Sequence, residues 1–408
     1  MMRFTCLLLV ASWFFPASGA TSPGVLSGKA EVSLLTCAPG DQLYSLFGHT
    51  AIRVRDPGHG VDEVFNYGTF DFATRGFYFK FASGTLLYRL SRETFPRFMA
   101  EYYYQDREVQ EQVLRLDSLQ RQRLWEMLEE NSLPGSRDYF YNFLFDNCTT
   151  RARDVIAVIF DGIAWEGPGR RVSFWEQLDE YLSVSPWTRW GIHTILGSPA
   201  TAEATVWEQM FLPDYLARGA AGARVDGQLI ASPARVLHGA SRRETTTAWY
   251  FSPAFVFAVC AAGLALLARR RGVAFVARLA VPFFMATGLL GCLLVFLGYF
   301  TLHPTTAPNA NLLWANPANL VVAFFIARER IPAVIRGYLR GYIVLLVVAL
   351  ISWVFLRPAV VLSSMIIIAW MGYLSCRVTG ASRAGRPRAR VVQKAMPKRR
   401  PQAGKVPR

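Results

Sequence analysis

Apolar positions fall along this chain in two regimes. In the first half they mix with polar residues at short spacings, and from Trp249 onward they form nearly unbroken runs. Period-two alternation predicts strands at 31–36, 50–54 and 64–70, with Asp71 ending the third. Helical spacing predicts helices at 93–104 and 118–131, and a third starting near Cys148. There Cys148, Ala152, Val155 and Ile159 recur at i, i+4, i+7 and i+11, one face of a helix. Glycine-rich and polar stretches at 219–227 and 232–243 read as a linker.

The later runs, 249–267, 279–300, 312–327, 341–356 and 359–376, approach the length of spanning helices. Basic residues test that count. The first connector holds Arg269, Arg270, Arg271 and Arg278, and the third holds Arg328, Arg330, Arg336 and Arg340. The second connector, 301–311, has no charge apart from His303, and the fourth has only Arg357. Basic and non-basic loops therefore alternate, as five spans with an exported N-terminal domain and a cytoplasmic tail require. At the very start, Arg3, the apolar run 6–15 and Ser18-Gly19-Ala20 read as a signal peptide over residues 1–20.

Composition agrees. Of 408 residues 52% are hydrophobic and only 18% charged, which excludes a disordered chain and an ordinary soluble enzyme. The net charge of +15 does not point to nucleic acid, because residues 377–408 hold eleven Lys or Arg and no acid. Residues 21–244 carry 23 basic and 28 acidic groups, a mildly acidic domain. The expected organisation is a signal peptide (1–20), an exported α+β domain (21–245), a bundle of five transmembrane helices (246–376) and a basic, disordered cytoplasmic tail (377–408). No nucleic-acid partner is expected.

Two cysteines, Cys37 and Cys148, lie in the exported domain, and no metal-binding spacing accompanies them, so neither a metal site nor a cofactor is expected. They are either a disulfide or something more reactive. Asn147-Cys148 sits where the third helix begins, and the partial positive charge of a helix N-terminus favours a thiolate and offers N–H groups to an oxyanion. His49 opens a strand and shares a face with Ala51, small enough for a helix to pack close, so His49 is expected to meet Cys148 from that face. Asn66 on the next strand is a polar group to orient the imidazole, with Tyr67 or Asp71 as alternatives. His59, His193 and His238 read as structural or exposed.

At these residues the sequence resembles a known family. SLLTCAPGDQLYSLFGHTAIRV, VFNYGTFDF and YNFLFDNCTTRARDVI resemble signature segments of the Lnb-type lipoprotein N-acyltransferases, as do MFLPDYL (210–216) and NANLLWANP (309–317). The order His then Cys also resembles the permuted papain-like (NlpC-type) fold of lecithin retinol acyltransferase. The resemblance implies a periplasmic papain-like domain before a five-helix membrane domain in the bacterial inner membrane. It implies that Cys148 takes an acyl chain from a phospholipid as a thioester, with His49 as base and Asn147 before the nucleophile; Asn66, from the strand reading, is the catalytic candidate beside them. The acceptor would be the α-amine of a diacylglyceryl lipoprotein. His303, Asn309 and Asn311, on the expected outer connector, are candidates for binding the lipid head group. Two other readings stand beside this one: a membrane-anchored papain-like hydrolase of peptidoglycan peptides or lipid esters, and a non-enzymatic periplasmic binding or assembly module with a structural Cys148.

Overall fold

A computed structural model describes residues 24–167, 170–241, 247–328, 331–355 and 363–384. The expected signal peptide, the tail beyond 384 and the start of the fifth expected span lie outside these residues. The chain divides into two compact units. The first holds 86–170 and 205–242 together with the chain up to 75, and the second holds 76–85, 171–204 and everything from 243.

The first unit is an α/β domain on a seven-stranded antiparallel sheet. Its strands are β1 (Glu31–Cys37), β2 (His49–Asp56), β3 (Val61–Thr69), β4 (Leu87–Thr94), β5 (Val109–Val113), β6 (Asp138–Phe140) and β7 (Arg235–His238). Their order is β7-β5-β1-β2-β3-β4-β6. Both faces of the sheet are covered, so β2 is almost wholly buried rather than alternating in exposure.

Helix α2 (Phe95–Gln105) covers one face, where Phe98, Met99 and Tyr102 pack with Leu35, Cys37, Ala51 and Val64. Helices α3 (Ser118–Ser132) and α4 (Cys148–Ile159) cover the other, where Trp125 meets Phe65 edge-on at 5.8 Å and Thr149 Oγ1 lies 3.0 Å from Thr50 Oγ1. The α2 face also holds an ionic knot. Arg53 pairs with both oxygens of Asp62 at 2.7 Å, donates to Glu111 at 2.9 Å and lies 3.4 Å over the Phe95 ring. Arg235 of β7 donates to the same Glu111 at 2.7 Å.

The expected strands and helices form with small shifts of boundary. One expected helix is cut short at its start, because β4 runs through Thr94 and α2 begins at Phe95. The expected linker is structured. Its first part ends α8 (Pro213–Gly222) and forms the ribbon Arg224–Val225/Gln228–Leu229, turned by Asp226 and Gly227, both at positive φ. Its second part is β7, an edge strand held by main-chain pairing and the Arg235–Glu111 contact, neither of which leaves a hydrophobic pattern.

The second unit is helical. It gathers α1 (Phe77–Ser83), α5 (Phe174–Leu182), α6 (Pro186–Ile195), α9 (Pro253–Tyr299), α10 (Asn319–Ala327), α11 (Ala333–Phe355) and α12 (Ser364–Ala384); the single-turn α7 (Val206–Gln209) belongs to the first unit. Three stretches among the described residues are long and apolar enough to cross a membrane: Pro253–Arg271, Phe275–Tyr299 and Ala333–Ile351. The first two correspond to the first two expected spans, but the basic segment expected between them is helical and joins both into α9.

That helix is bent. Phe257 near its start packs 5.4 Å from Trp190 of α6, and Thr194 of α6 accepts from Asn309 at 3.1 Å. Three residues before Asn309, Thr306 donates to the Leu297 carbonyl at 2.8 Å. These links reach at most about 45 Å, whereas forty residues of straight helix would span about 60 Å. The start of α9 therefore meets α6, and the loop that follows its end returns to α6.

The third expected span is less regular than expected. It is a 3₁₀ turn, Ala310–Leu313, followed after Asn316-Pro317 by the nine-residue helix α10, shorter than a full spanning helix. The side chain of Asn319 explains why this segment is interior: it donates to Thr287 at 3.0 Å and Tyr342 at 3.1 Å and accepts from Tyr338 at 2.9 Å. Polar groups at membrane depth need such internal partners.

Replacing Arg53 with Met should destabilise the first unit by about 3 kcal/mol, since it takes the guanidinium from both oxygens of Asp62 and leaves the buried Glu111 with Arg235 alone. Thermal unfolding of the detergent-solubilised protein would show this as a lowered midpoint, and an unchanged midpoint would contradict the assignment.

Candidate active site

Asn147 places the site. Its side-chain oxygen accepts from the N–H groups of Thr149 and Thr150 at 2.8 Å each, and its backbone N–H donates to the Thr150 hydroxyl at 2.7 Å. This reciprocal cap starts α4 at Cys148. The Asn147 amide donates to the carbonyls of Phe143 and Phe211 at 2.7 and 2.9 Å, fixing the turn against the segment before α8. Asn147 thus serves as a positioning residue with its polar atoms committed. The N–H groups it takes are two of those expected to serve an oxyanion, which leaves the N–H of Cys148 itself.

Cys148 is buried, 9% exposed, and free, as is Cys37. Cys37 faces α2 instead, in contact with Tyr102, and burial pushes its thiol up to about 12. No disulfide joins the two.

His49 reaches Cys148, but not by the expected route. His49, Ala51 and Arg53 point to the α2 face, whereas α4 packs on the opposite face through Thr50. The thiol meets the imidazole at the end of the strand pair, where Gly68 of β3 leaves an opening. A Cβ at Gly68 would stand 3.2 Å from the Cys148 Cβ, and its φ of +87° is one that side-chain-bearing residues avoid. Gly48, at φ +77°, turns the chain into β2 beside the Cys37 carbonyl.

Asn66 is the orienting residue among the three alternatives. Its side-chain oxygen lies 2.5 Å from His49 Nε2, which leaves Nδ1 for the hydrogen bond to Cys148. Asn66 in turn hydrogen-bonds Glu93, whose carboxyl is raised by burial against that bond. Tyr67 instead accepts from Asn131 at 2.9 Å, and Asp71 accepts from the Ala73 N–H at 2.8 Å.

Electrostatics follow from this packing. Burial opposes charge on Cys148, but the His49 imidazolium, its hydrogen bond, the Thr50 backbone N–H and the Thr149 hydroxyl outweigh it and bring the thiol down to about 7. Burial likewise opposes charge on His49, yet the thiolate and the bonds to Cys148 and Asn66 leave it raised. Both shifts favour the thiolate–imidazolium form of the pair. Tyr139 and Tyr141 stand nearby, both pushed up by burial and by the Cys148 charge, and Tyr141 stacks on Tyr88 at 4.2 Å. The buried Tyr139 hydroxyl has no hydrogen-bond partner among the described residues.

The three residues expected to bind a head group lie in the second unit and are spent within it. Asn309 donates to the carbonyls of Thr194 and Ile195, Asn311 donates to Thr194 and accepts from Trp314, and His303 Nε2 bonds the Ala82 carbonyl at 3.0 Å. They shape the loop, and these bonds account for them without a ligand. Reading along the chain misses Gly68, Glu93, Thr50 and Tyr139. Only the glycine leaves a trace there, as a Gly inside an otherwise strand-like run.

This is a membrane protein whose N-terminal α/β domain carries a buried, hydrogen-bonded cysteine–histidine pair. The family model for the Lnb N-terminal periplasmic domain matches residues 26–181, and that for the Lnb transmembrane domain matches 244–379. The chain belongs to the Lnb family, and its N-terminal domain is periplasmic. No curated protein and no solved structure matches it.

Alkylation of Cys148 by iodoacetamide should rise with a midpoint near pH 7, since the reactive thiolate persists above its depressed pKa and is lost below it. In His49→Ala the midpoint should move up toward the ordinary thiol range, and Cys37 should stay silent in both. Tandem mass spectrometry of the labelled peptides over pH reads this, and identical profiles would refute the coupling. Gly68→Ala should cost about 2 kcal/mol through left-handed strain and crowding of the Cys148 Cβ, and should slow alkylation at pH 7. An unaltered Tm and rate would show that the opening is not needed.

Proposed function

We propose that this protein is a lipoprotein N-acyltransferase of the bacterial inner membrane, moving an acyl chain from a phospholipid to the α-amine of the S-diacylglyceryl cysteine of lipoproteins. The observation that carries the reading is the Cys148–His49 pair, held by Asn66, at the start of a capped helix.

The thiolate attacks the ester carbonyl of the phospholipid. The oxyanion that forms is met by the N–H of Cys148. The intermediate expels the lysophospholipid alkoxide, which takes its proton from His49, leaving an acyl thioester and a neutral imidazole. The lipoprotein α-amine then attacks the thioester. His49 takes the amine proton, the thiolate leaves, and the ion pair is restored with an amide formed. Covalent catalysis splits the transfer into two easier steps, and a thioester opens readily to an amine.

A Cys–His–Asn set of this kind resembles the papain-like arrangement. Hydrolysis would use the same thioester with water as acceptor, and the burial of Cys148 under aromatic residues favours acyl transfer by keeping water out. A purely structural Cys148 accounts poorly for a free thiol with a lowered pKa. The basic connectors and tail are taken to face the cytoplasm on the positive-inside rule.

Cys148→Ala should abolish N-acylation, and His49→Ala should lower it by about 10²–10⁴-fold, the usual contribution of a general base. Mass spectrometry of lipoprotein N-termini from cells relying on each variant measures this. An acyl mass trapped on Cys148 supports the thioester, and normal N-acylated peptides in the Cys148→Ala strain would sink the assignment.

A further inference from the structure

The short segment between β3 and β4 is the least expected part of the chain. It belongs by its contacts to the helical unit, although both its flanks belong to the sheet. Within it α1 reads FYFKFAS, and its aromatic residues are not used to build a core. Tyr78 is 83% exposed and Phe79 68% exposed, and Phe81 is exposed as well. A helix this short and this aromatic has no reason to persist in water, where its rings would keep their hydration cost.

Its attachments place it. The Leu302 N–H donates to the Ser83 carbonyl at 3.0 Å, His303 Nε2 bonds the Ala82 carbonyl, and the Phe79 ring lies 6.3 Å from Phe296. Gly84, at φ +71°, closes α1 directly against Leu302. All of these partners sit at or just beyond the end of the candidate span Phe275–Tyr299.

Other exposed aromatics collect around the same end. Tyr299 and Phe300 finish α9, and Phe300 is 73% exposed. Trp249, 71% exposed, with Tyr250 and Phe251 precedes its start. The two groups are drawn together through α6: Trp187 of α6 donates to the Phe251 carbonyl at 2.7 Å before α9, and Thr194 of α6 accepts from Asn309 in the loop after it. A ring of aromatics where apolar spans end is the pattern of a membrane–water interface.

We infer that α1 lies in the outer interface of the inner membrane, with Tyr78, Phe79 and Phe81 in the upper acyl region and the Lys80 ammonium among lipid phosphates. The occupant is the lipid surface itself, because the exposed face of α1 continues the apolar flank of the span it packs against. Aromatic rings and one lysine on a short helix suit that depth. The chain enters this helix from β3, which carries Asn66 and Gly68, and returns in β4, which carries Glu93. β3 and β4, which carry residues around the reactive pair, thus flank this helix directly in the chain. This assignment does not depend on which reaction Cys148 performs.

Benzoylphenylalanine in place of Tyr78 or Phe79, in the full chain reconstituted into phosphatidylethanolamine–phosphatidylglycerol vesicles, tests it. Ultraviolet irradiation should give phospholipid adducts at both positions, comparable to those from the same probe at Trp249. The probe at Leu119, exposed on α3, should give none. Preservation of the Cys148 alkylation rate certifies the fold of each variant. Cross-links to a second copy of the chain in place of lipid, or no adduct at Tyr78 and Phe79 while Trp249 labels lipid, would overturn the inference.

Discussion

The site rests on a missing side chain. Gly68 stands where any Cβ would press on Cys148, and this lets a thiol on one side of the sheet meet an imidazole on the other. His49 shares its face with Ala51 and Arg53 under α2, while Cys148 belongs to α4 on the opposite face. An ordinary strand residue at this point would keep the two apart. With the opening in place, each remaining part has its own role. Asn147 sets where α4 starts, Asn66 turns the ring, and Glu93 holds Asn66.

Burial gives this arrangement its chemical force. Neither Cys148 nor His49 would ionise readily alone in a buried setting, and each is moved toward its charged form by the other. The neighbouring tyrosines add no counter-charge and keep the surroundings poor in water. Cys37 shows the contrast within one sheet. It is the same residue type, equally buried, but without an imidazole bond, and its thiol is held near 12. Reactivity follows from partners and not from residue type.

The helical unit meets a different constraint. Every polar group at membrane depth must find an internal partner. Asn319 does so through Thr287, Tyr338 and Tyr342, and in the loop before it Asn309 and Asn311 are likewise held by the carbonyls at the end of α6. Such residues look like ligand-binding candidates in a sequence, because nothing local distinguishes an amide that waits for a substrate from one that caps a loop. The same holds for the segment 312–327, whose hydropathy reads as a span although Asn316-Pro317 leaves only nine helical residues after it.

Elements with local signals are legible in the order of the amino acids. The strands at β1, β2 and β3, the helices α2, α3 and α4, the position of Cys148 at a helix start and the long apolar runs are all of this kind, because periodicity and capping depend on residues a few places apart. Cys148, His49 and Asn66 stand out as candidates for the same reason. Long-range packing settles the rest: which face His49 uses, that Gly68 opens the way, that Glu93 stands behind Asn66, that β7 joins the sheet and that α1 leaves it. Those outcomes hang on contacts between segments far apart in the chain, where a hydrogen-bond partner or a missing Cβ leaves no periodic trace.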